Sequence, residues 1–288
     1  MADWDWELLA GPDTITEGPV WDGHGLLYTS IAHNEIRRYD PATGAITVVY
    51  RDTHASNGLV LAYDGTLYAC EGASGAIARY SPEGQKAILV SQFEGKRLNS
   101  PNDLVLDRQG WLWFTDPRYG SQDGRELDHD SVYRLTPSLD GSIPWPIERM
   151  TFDTTRPNGL LLSPDELSLY VAQSDYSGER QLRAYPVQDD GTLGPYTVLH
   201  DFGDARGVDG MCLDSEGNIV ATCGWEQSGP GPRIAIFAPD GAILDEHGLP
   251  AGAPTNCAFG GPELTHLYVT TLDGRLYRVR NPGRRGCG

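Results

Sequence analysis

The sequence predicts an all-β fold, a six-bladed β-propeller with four antiparallel strands in each blade. Three observations predict it. The chain of 288 residues contains 35 glycines and 20 prolines, which are spread along its length as expected for many short strands joined by turns. No long segment has an apolar period of about 3.6 residues, so few helices are expected. One sequence pattern occurs six times, at spacings of 40, 45, 56, 51 and 47 residues.

Each repeat begins with a residue that carries a side-chain oxygen and continues into a short apolar strand. The six first residues are Glu17, Asn57, Asn102, Asn158, Asp209 and Asn256. In the first repeat, further strands are predicted at residues 26–29, 35–39 and 46–50. Four short strands per unit at this period are typical of a propeller, in which radial repetition leaves only short sheet edges.

The sixth repeat ends near Val279 and has no fourth strand of its own. Because an unclosed ring leaves two sheet faces open, we expect the N-terminal segment Trp6-Glu-Leu-Leu to supply that strand and to close the ring. The sequence therefore predicts one domain over residues 1–281. Residues 282–288, which are rich in glycine and arginine, are expected to form a flexible tail.

Composition excludes several classes of function. The formal net charge of −18 disfavours binding to nucleic acids. No apolar run approaches the roughly 20 residues that span a membrane, and the acidic N-terminus lacks the features of a signal peptide, so we expect a cytoplasmic protein without membrane partners. The five cysteines show no CxxC spacing, which argues against a thiolate metal site.

The repeat also predicts a site. The first strand of a propeller blade lines the central channel, so the six oxygen-bearing side chains should surround one axis. Carboxylates and amide oxygens suit Ca²⁺, or Mg²⁺ or Mn²⁺ with more water. For Asn57 and Asn256 a second interpretation is open, because Asn is also a common turn residue.

Motifs along nearly the whole chain resemble one family, the superfamily of gluconolactonases, senescence marker protein and luciferin-regenerating enzyme, and most closely its bacterial gluconolactonases. Each motif alone is weak, but they occur together and in the family's order. They are Glu17-Gly-Pro-Val-Trp, Ala69-Cys-Glu, Asn99-Ser-Pro-Asn-Asp-Leu-Val, Trp113-Phe-Thr-Asp-Pro-Arg-Tyr-Gly, Arg156-Pro-Asn-Gly-Leu-Leu-Leu-Ser-Pro-Asp-Glu and Gly207-Val-Asp-Gly-Met.

The resemblance implies one divalent metal ion with Glu17, Asn158 and Asp209 as ligands. It implies that Asn102 binds the metal or the substrate at the same centre, and that Asp209 is the general base. Ca²⁺ is the favoured ion, and Mg²⁺, Mn²⁺, Zn²⁺ and Fe²⁺ remain open. The implied activity is that of a hydrolase of carboxylic esters, a lactonase of carbohydrate metabolism that opens a sugar lactone.

Further residues are candidates for substrate contacts. The resemblance places them in the loop of Asp116, Arg118 and Tyr119. Glu71 occupies the position in blade 2 that Asp116 occupies in blade 3, and Asn57 belongs to the ring. His33 follows the second strand of the first repeat and could reach the same face, although a role as a loop or surface residue is favoured for it. The chain departs from the family at Ser100, where the animal branch has Arg, and at Arg118, where the bacterial branch usually has Pro.

The expected reaction is attack of water on the lactone carbonyl while the metal stabilises the developing oxyanion. A carboxylate bound to a cation is a weak base, so metal-bound hydroxide and a histidine such as His33 or His54 remain alternatives to Asp209. There is no Gly-x-Ser-x-Gly motif of a serine hydrolase.

Three other functions are compatible with the same fold. The metal ring could serve a hydrolase of organophosphate triesters, and a propeller can be a non-catalytic scaffold. A metal-free relative of strictosidine synthase would share the fold but not the ring of acids and amides. The oligomeric state, monomer or homodimer, is left open.

Overall fold

The computed structural model describes residues 4–287 and confirms the predicted six-bladed propeller. Six four-stranded antiparallel sheets follow one another along the chain. The first strand of each sheet contacts the first strand of the next, and the sixth contacts the first, which closes a ring. Within these residues the helical structure is limited to a 3₁₀ turn at Pro262–Leu264, and no helix is long and apolar enough to cross a membrane. Residues 1–3 and 288, which belong to the predicted domain and tail, lie outside the described range.

The blades are numbered in chain order, and β1 (Trp6–Ala10) precedes them. Blade 1 contains β2 (Thr16–Trp21), β3 (Leu26–Ser30), β4 (Glu35–Tyr39) and β5 (Ile46–Arg51). Blade 2 contains β6 (Ser56–Leu61), β7 (Leu67–Glu71), β8 (Ala76–Tyr80) and β9 (Lys86–Val90). A hairpin of β10 (Gln92–Phe93) and β11 (Lys96–Arg97) follows. Blade 3 contains β12 (Leu104–Leu106), β13 (Leu112–Asp116), β14 (Ser131–Leu135) and β15 (Ile147–Arg149).

The second half of the ring repeats this order. Blade 4 contains β16 (Pro157–Leu162), β17 (Ser168–Ser174), β18 (Arg180–Pro186) and β19 (Thr197–Asp201). Blade 5 contains β20 (Val208–Leu213), β21 (Ile219–Trp225), β22 (Ser228–Phe237) and β23 (Ile243–Gly248). Blade 6 contains β24 (Pro254–Gly260), β25 (His266–Thr271) and β26 (Leu276–Arg280), and β1 is its fourth strand.

The ring closes as the sequence predicts. β1 pairs antiparallel with β26, with Trp6 opposite Val279. Glu7 forms ion pairs with Arg278 and Arg280 on the neighbouring strand. The N-terminal strand thus completes blade 6 and joins the two ends of the described chain in one sheet.

The core lies between the blades. Strand side chains alternate between two faces, and each blade turns an apolar face toward its neighbour. Leu27 and Ile36 of blade 1, for example, pack against Leu59 and Ala69 of blade 2. Burial of this kind stabilises by about 25 cal/mol per Å² of apolar surface, and it fixes each inner strand relative to the next.

A break in strand pairing occurs at the ring residues. In blades 1, 2, 4, 5 and 6 the register between the first and second strands shifts at or just after the ring residue, as between Glu17 and Val20 in blade 1. A bulge bends the strand and redirects a side chain. Asn57 lies within β6 and Asn256 within β24. The interpretation of these two residues as turn residues is therefore wrong.

The glycine after the ring residue has a steric reason. A Cβ on Gly18 would lie 2.3 Å from the carbonyl oxygen of Asn57, and one on Gly159 would lie 2.3 Å from that of Asp209. Real Cβ atoms do not approach backbone atoms so closely. The repeated Gly thus allows adjacent inner strands to meet near the axis.

Hydroxyl groups join neighbouring blades around the channel. Thr29 of blade 1 donates to the carbonyl oxygen of Asn57 in blade 2 at 3.1 Å. Thr115 of blade 3 donates to the carbonyl oxygen of Asn158 in blade 4 at 2.7 Å, and Thr222 of blade 5 to that of Thr255 in blade 6 at 2.9 Å. These bonds satisfy carbonyl groups that the bulges release from the strand ladder, and they hold the ring residues in fixed positions.

The C-terminal residues run beside blade 5. Arg284 pairs with Asp214 at 2.7 Å, and the backbone N–H of Gly286 donates to the carbonyl oxygen of Leu264 at 2.9 Å. Whether residues 282–288 are flexible, as expected from their composition, stays a prediction.

Candidate active site

Two acids from blades 1 and 5 lie close together inside the channel. The Glu17 side chain is buried, and its Oε2 accepts a hydrogen bond from the N–H of Gly18 at 2.8 Å. Burial raises the pKa of Glu17 well above its usual range, and the charges of Asp209 and Asp103 raise it further. Such a shift indicates carboxylates gathered in a poorly solvated space without sufficient countercharge.

Asp103 belongs to this cluster, although the sequence reasoning missed it. It is buried, and its Oδ1 accepts from the N–H of Leu104 at 2.9 Å. Burial raises the pKa of Asp103 to about 7, and the charge of Asp209 acts in the same direction. A signal was present in the sequence, because Asp103 stands where four of the other five repeats have Gly.

Asp209 contacts a buried arginine that the sequence reasoning also missed. The guanidinium of Arg206 forms an ion pair with Asp209 Oδ2. Burial raises the pKa of Asp209, while Arg206 and a hydrogen bond from Asn158 act in the opposite direction. Asn158 and Asp209 also line one small cavity. The structure therefore brings three of the predicted residues, Glu17, Asn158 and Asp209, to one place.

A larger cavity opens on the face where the inner strands begin. Its volume is about 520 Å³, and polar side chains contribute much of its wall. They include Asn57, Arg97, Ser100, Arg118, Tyr119, Ser121 and Asp123. Burial raises the pKa of Tyr119, and the charge of Asp209 adds to this effect. Tyr119 of the cavity wall thus lies close enough to Asp209 to respond to its charge.

Arg118 shapes this wall. Its guanidinium donates to three backbone carbonyl oxygens, those of Ser121 at 2.8 Å, Asn99 at 3.1 Å and Asp123 at 2.7 Å. These bonds tie the loop of residues 118–124 to the segment that leads into blade 3. Arg118 therefore lies in the predicted region, with most of its hydrogen-bonding capacity directed to the backbone.

Asn102 is half-buried between blades 2 and 3. Its carbonyl oxygen accepts from the N–H of Gly58 at 2.7 Å, and its own N–H donates to Thr115 at 2.9 Å. In blade 3 the backbone of Asn102 thus bonds to the inner strand of blade 2, and the strand pairing has no bulge at this position.

Two predicted substrate contacts, Asp116 and Glu71, are engaged elsewhere in this structure. Asp116 is fully buried, and its carboxylate accepts from the N–H groups of Asn99 and Ser100 at 2.8 and 2.7 Å. Glu71 is fully buried and binds Tyr80 and Lys86, each at 2.6 Å. Both carboxylates are hydrogen-bonded within the protein interior, and neither lines the large cavity.

The two candidate histidines, His33 and His54, lie at the surface of the same face. His33 contacts the hydroxyl of Ser30 at 3.0 Å and has a side chain that is 47% exposed, near Asp13. His54 is exposed. Neither is among the residues that line the large cavity, so the acid cluster is the better source of a proton acceptor.

The axial residues fit a hard divalent cation. Carboxylate and amide oxygens are the donors that Ca²⁺, Mg²⁺ and Mn²⁺ prefer. The raised pKa of Glu17 reflects negative charges that a cation would compensate. Within residues 4–287 no group of three His, Cys, Asp or Glu side chains is placed to hold an ion by itself. An ion here would therefore depend on amide oxygens such as that of Asn158.

Comparison with known proteins agrees with the motifs. The chain is similar to a gluconolactonase of Zymomonas mobilis, with 34% identity over 95% of this chain and 80% of that protein. It is similar to a 6-deoxy-6-sulfogluconolactonase of Pseudomonas putida, with 27% identity over 92% and 85%. A solved gluconolactonase from Xanthomonas campestris superposes with a TM-score of 0.83 and 32% identity, over 97% of this chain and 90% of that one. The SMP-30/Gluconolactonase/LRE-like region matches residues 15–273, and the chain belongs to this family.

Proposed function

We propose that this protein is a lactonase that hydrolyses a sugar lactone with the help of one divalent cation held by Glu17, Asn158 and Asp209. The observation that carries the proposal is the meeting of these side chains from blades 1, 4 and 5 in the channel, where the charge of Asp209 also acts on Tyr119 of the cavity wall. Family membership supports the reaction class, because the relatives reported above are named for lactone hydrolysis.

The cation, when bound, supplies a positive charge that polarises the lactone carbonyl. Its identity stays a proposal. Ca²⁺ fits an all-oxygen donor set best, and Mg²⁺, Mn²⁺, Zn²⁺ and Fe²⁺ are the alternatives to compare with it. Asn102 stays a candidate for the same centre on the basis of the family resemblance.

The protein's own residues bind the substrate and move a proton. Asn57 and Tyr119 line the cavity and can hold sugar hydroxyls. Asp209 accepts a proton from the attacking water, and the proton later passes to the alkoxide that leaves when the ring ester opens. Of the predicted substrate-binding residues, four therefore stay in the proposal: Asn57, Asn102, Arg118 and Tyr119. Asp116 and Glu71 are left out because their carboxylates are hydrogen-bonded in the interior. His33 is left out because it does not line the cavity.

The cavity favours a sugar over an organophosphate triester. Polar groups such as Asn57, Ser100 and Asp123 can bond the hydroxyls of a sugar ring. An apolar wall would suit the alkyl or aryl groups of a phosphotriester better. A scaffold without enzymatic activity has no need for three buried acids near the axis.

A panel of aldonolactones and phosphotriesters tests the proposal. Hydrolysis is followed by pH-stat titration before and after removal of metal with a chelator. We expect hydrolysis of one or more aldonolactones, its loss on chelation and its return with Ca²⁺ or Mn²⁺. Hydrolysis of phosphotriesters alone, or lactone hydrolysis that resists exhaustive chelation, would contradict the proposal.

A further inference from the structure

Arg206 lies in the loop before β20 and is one of the few buried arginines in the described residues. A guanidinium is costly to bury unless its donors are satisfied. Here the donors meet three acceptors, and one of them is the proposed general base. The position of Arg206, three residues before Asp209, was not part of the predicted ring.

The contacts of Arg206 reach two blades. One terminal nitrogen donates to the carbonyl oxygens of Gly224 in blade 5, at 2.9 Å, and of Pro254 in blade 6, at 3.0 Å. The other donates to Asp209 Oδ2. Because the guanidinium is planar and its donors are fixed in direction, the two carbonyl groups determine where the third contact can form.

We propose that Arg206 is a positioning residue for Asp209. The guanidinium is anchored to blades 5 and 6 and binds Asp209 Oδ2. In this way it keeps the other carboxylate oxygen, Oδ1, directed to the axis. The proposal rests on the function proposed above for Asp209, since it says how that carboxylate is held ready for the cation and the attacking water.

The surroundings of the pair support this role. Asn158, Tyr176, Arg206 and Asp209 line a cavity of only about 10 Å³, which is about the volume that one water molecule needs. The carboxylate thus has little room to turn while Arg206 is present. A shorter or uncharged side chain would enlarge this space and leave the carboxylate without its partner.

A second buried arginine provides a matched control. Arg183 in blade 4 is fully buried, bonds the side chain of Gln181 at 2.9 Å and the backbone of Asp153 at 3.0 Å, and pairs with Glu179 at 2.5 Å. It lies on the third strand of its blade, away from the inner strands. Its loss should therefore lower stability without affecting the proposed site.

The experiment compares Arg206→Met, Arg206→Lys and Arg183→Met in the full chain. For Arg206→Met we expect kcat to fall on the order of 10²-fold, with KM changed by less than about threefold, as for a misplaced catalytic group. Arg206→Lys should fall between this variant and the native protein, because an ammonium can replace one of the three contacts. Arg183→Met should lower the melting temperature and keep kcat within about twofold.

Crystal structures of the metal-free native protein and of both Arg206 variants give a readout independent of activity. We expect Asp209 to leave its native orientation in Arg206→Met, and in Arg206→Lys to a smaller extent. An unchanged Asp209 conformer, or an undiminished kcat, would overturn the proposal. If Arg206→Met fails to fold, the Lys variant decides. If the native protein hydrolyses no lactone, the proposed function fails, whereas the Asp209 conformers still decide the positioning role.

Discussion

Asn256 donates a hydrogen bond from Nδ2 to Oδ2 of Asp103 at 3.4 Å. The two residues belong to blades 6 and 3, which are opposite each other in the ring, so the contact crosses the central channel. Gly210 makes room for Asn256, since a Cβ there would lie 2.1 Å from the Asn256 side chain. The channel is therefore bridged by an amide and an acid, and the acid adds its charge to those of Glu17 and Asp209.

In the metal-free protein, stability should fall as the pH rises from about 4 to about 7. The folded pKa of Asp103 is raised to about 7, whereas an unfolded Asp titrates near about 3.9. The folded state thus binds more protons in this window, and the free energy of unfolding decreases as they leave. Glu17, whose pKa is also raised, contributes with the same sign. The measurement is the melting temperature of the chelated protein between about pH 4.5 and 7.5.

Asp103→Asn should make this pH dependence shallower and stabilise the metal-free protein near neutral pH. The variant is the necessary comparison because other groups titrate in the same window. Burial lowers the pKa of His200, for example, so that this residue contributes stability that increases with pH. A slope that is unchanged in Asp103→Asn would contradict the placement of an ionisable Asp103 in the channel.

A divalent cation should raise the melting temperature. A ligand that binds only the folded state stabilises it by about 2.7 kcal/mol at a concentration of 100 Kd. We expect Ca²⁺ or Mn²⁺ to have this effect on the native protein, and expect Glu17→Gln to abolish most of it. Asp190→Asn, which removes an exposed acid, is the matched control and should respond like the native protein. Equal responses of Glu17→Gln and the control would contradict the proposed site.

Asp209→Asn should reduce kcat/KM by at least about 100-fold, because the variant keeps an oxygen near the axis but can no longer accept a proton. The measurement is steady-state kinetics on the lactone found in the panel. The exposed acid Asp190 again provides a control for loss of negative charge. If Asp209→Asn retains most of its activity, the proton acceptor must be another group.

The fold could be predicted because the pattern repeats. Six copies of one strand pattern specify the blades, and the absence of a fourth strand after Val279 predicts that β1 completes blade 6. The ring residues Glu17, Asn158 and Asp209 follow from the same periodicity. What repeats in the sequence occupies equivalent positions in a ring, so sequence alone identifies the residues that share an axis.

Residues outside the repeat were harder to find. Arg206 is buried because its guanidinium reaches carbonyl groups of Gly224 and Pro254, and contacts so distant in sequence leave no local pattern. Glu71 and Asp116 show the converse difficulty. Each is the last residue of a second strand, at the end that faces the site, but each carboxylate turns to partners within its own blade or loop. The direction of a side chain at a strand end depends on such partners rather than on sequence position.

Gly159→Ala should destabilise the protein and disturb the site. Its Cβ would lie 2.3 Å from the carbonyl oxygen of Asp209, so the inner strands of blades 4 and 5 would have to separate. Overpacking of this kind typically costs about 1–3 kcal/mol, and more where backbone must move. Gly248→Ala is the control, because nothing lies within 4 Å of its Cβ. The midpoints of urea unfolding measure both variants, and equal midpoints would refute the steric explanation of the repeated glycine.

Arg118→Met should raise KM several-fold and leave kcat within about twofold, because the residue shapes the cavity wall and does not contact the acid cluster. Its three bonds to backbone carbonyl groups hold the loop of residues 118–124 against Asn99. Without them the loop gains freedom, and substrate must restrict it on binding. Arg125→Met is a control in the same region, since Arg125 pairs with Asp130 but does not line the cavity. Steady-state kinetics measure KM and kcat of both variants. An unchanged KM in Arg118→Met, or an equal rise of KM in Arg125→Met, would show that the cavity wall does not depend on Arg118.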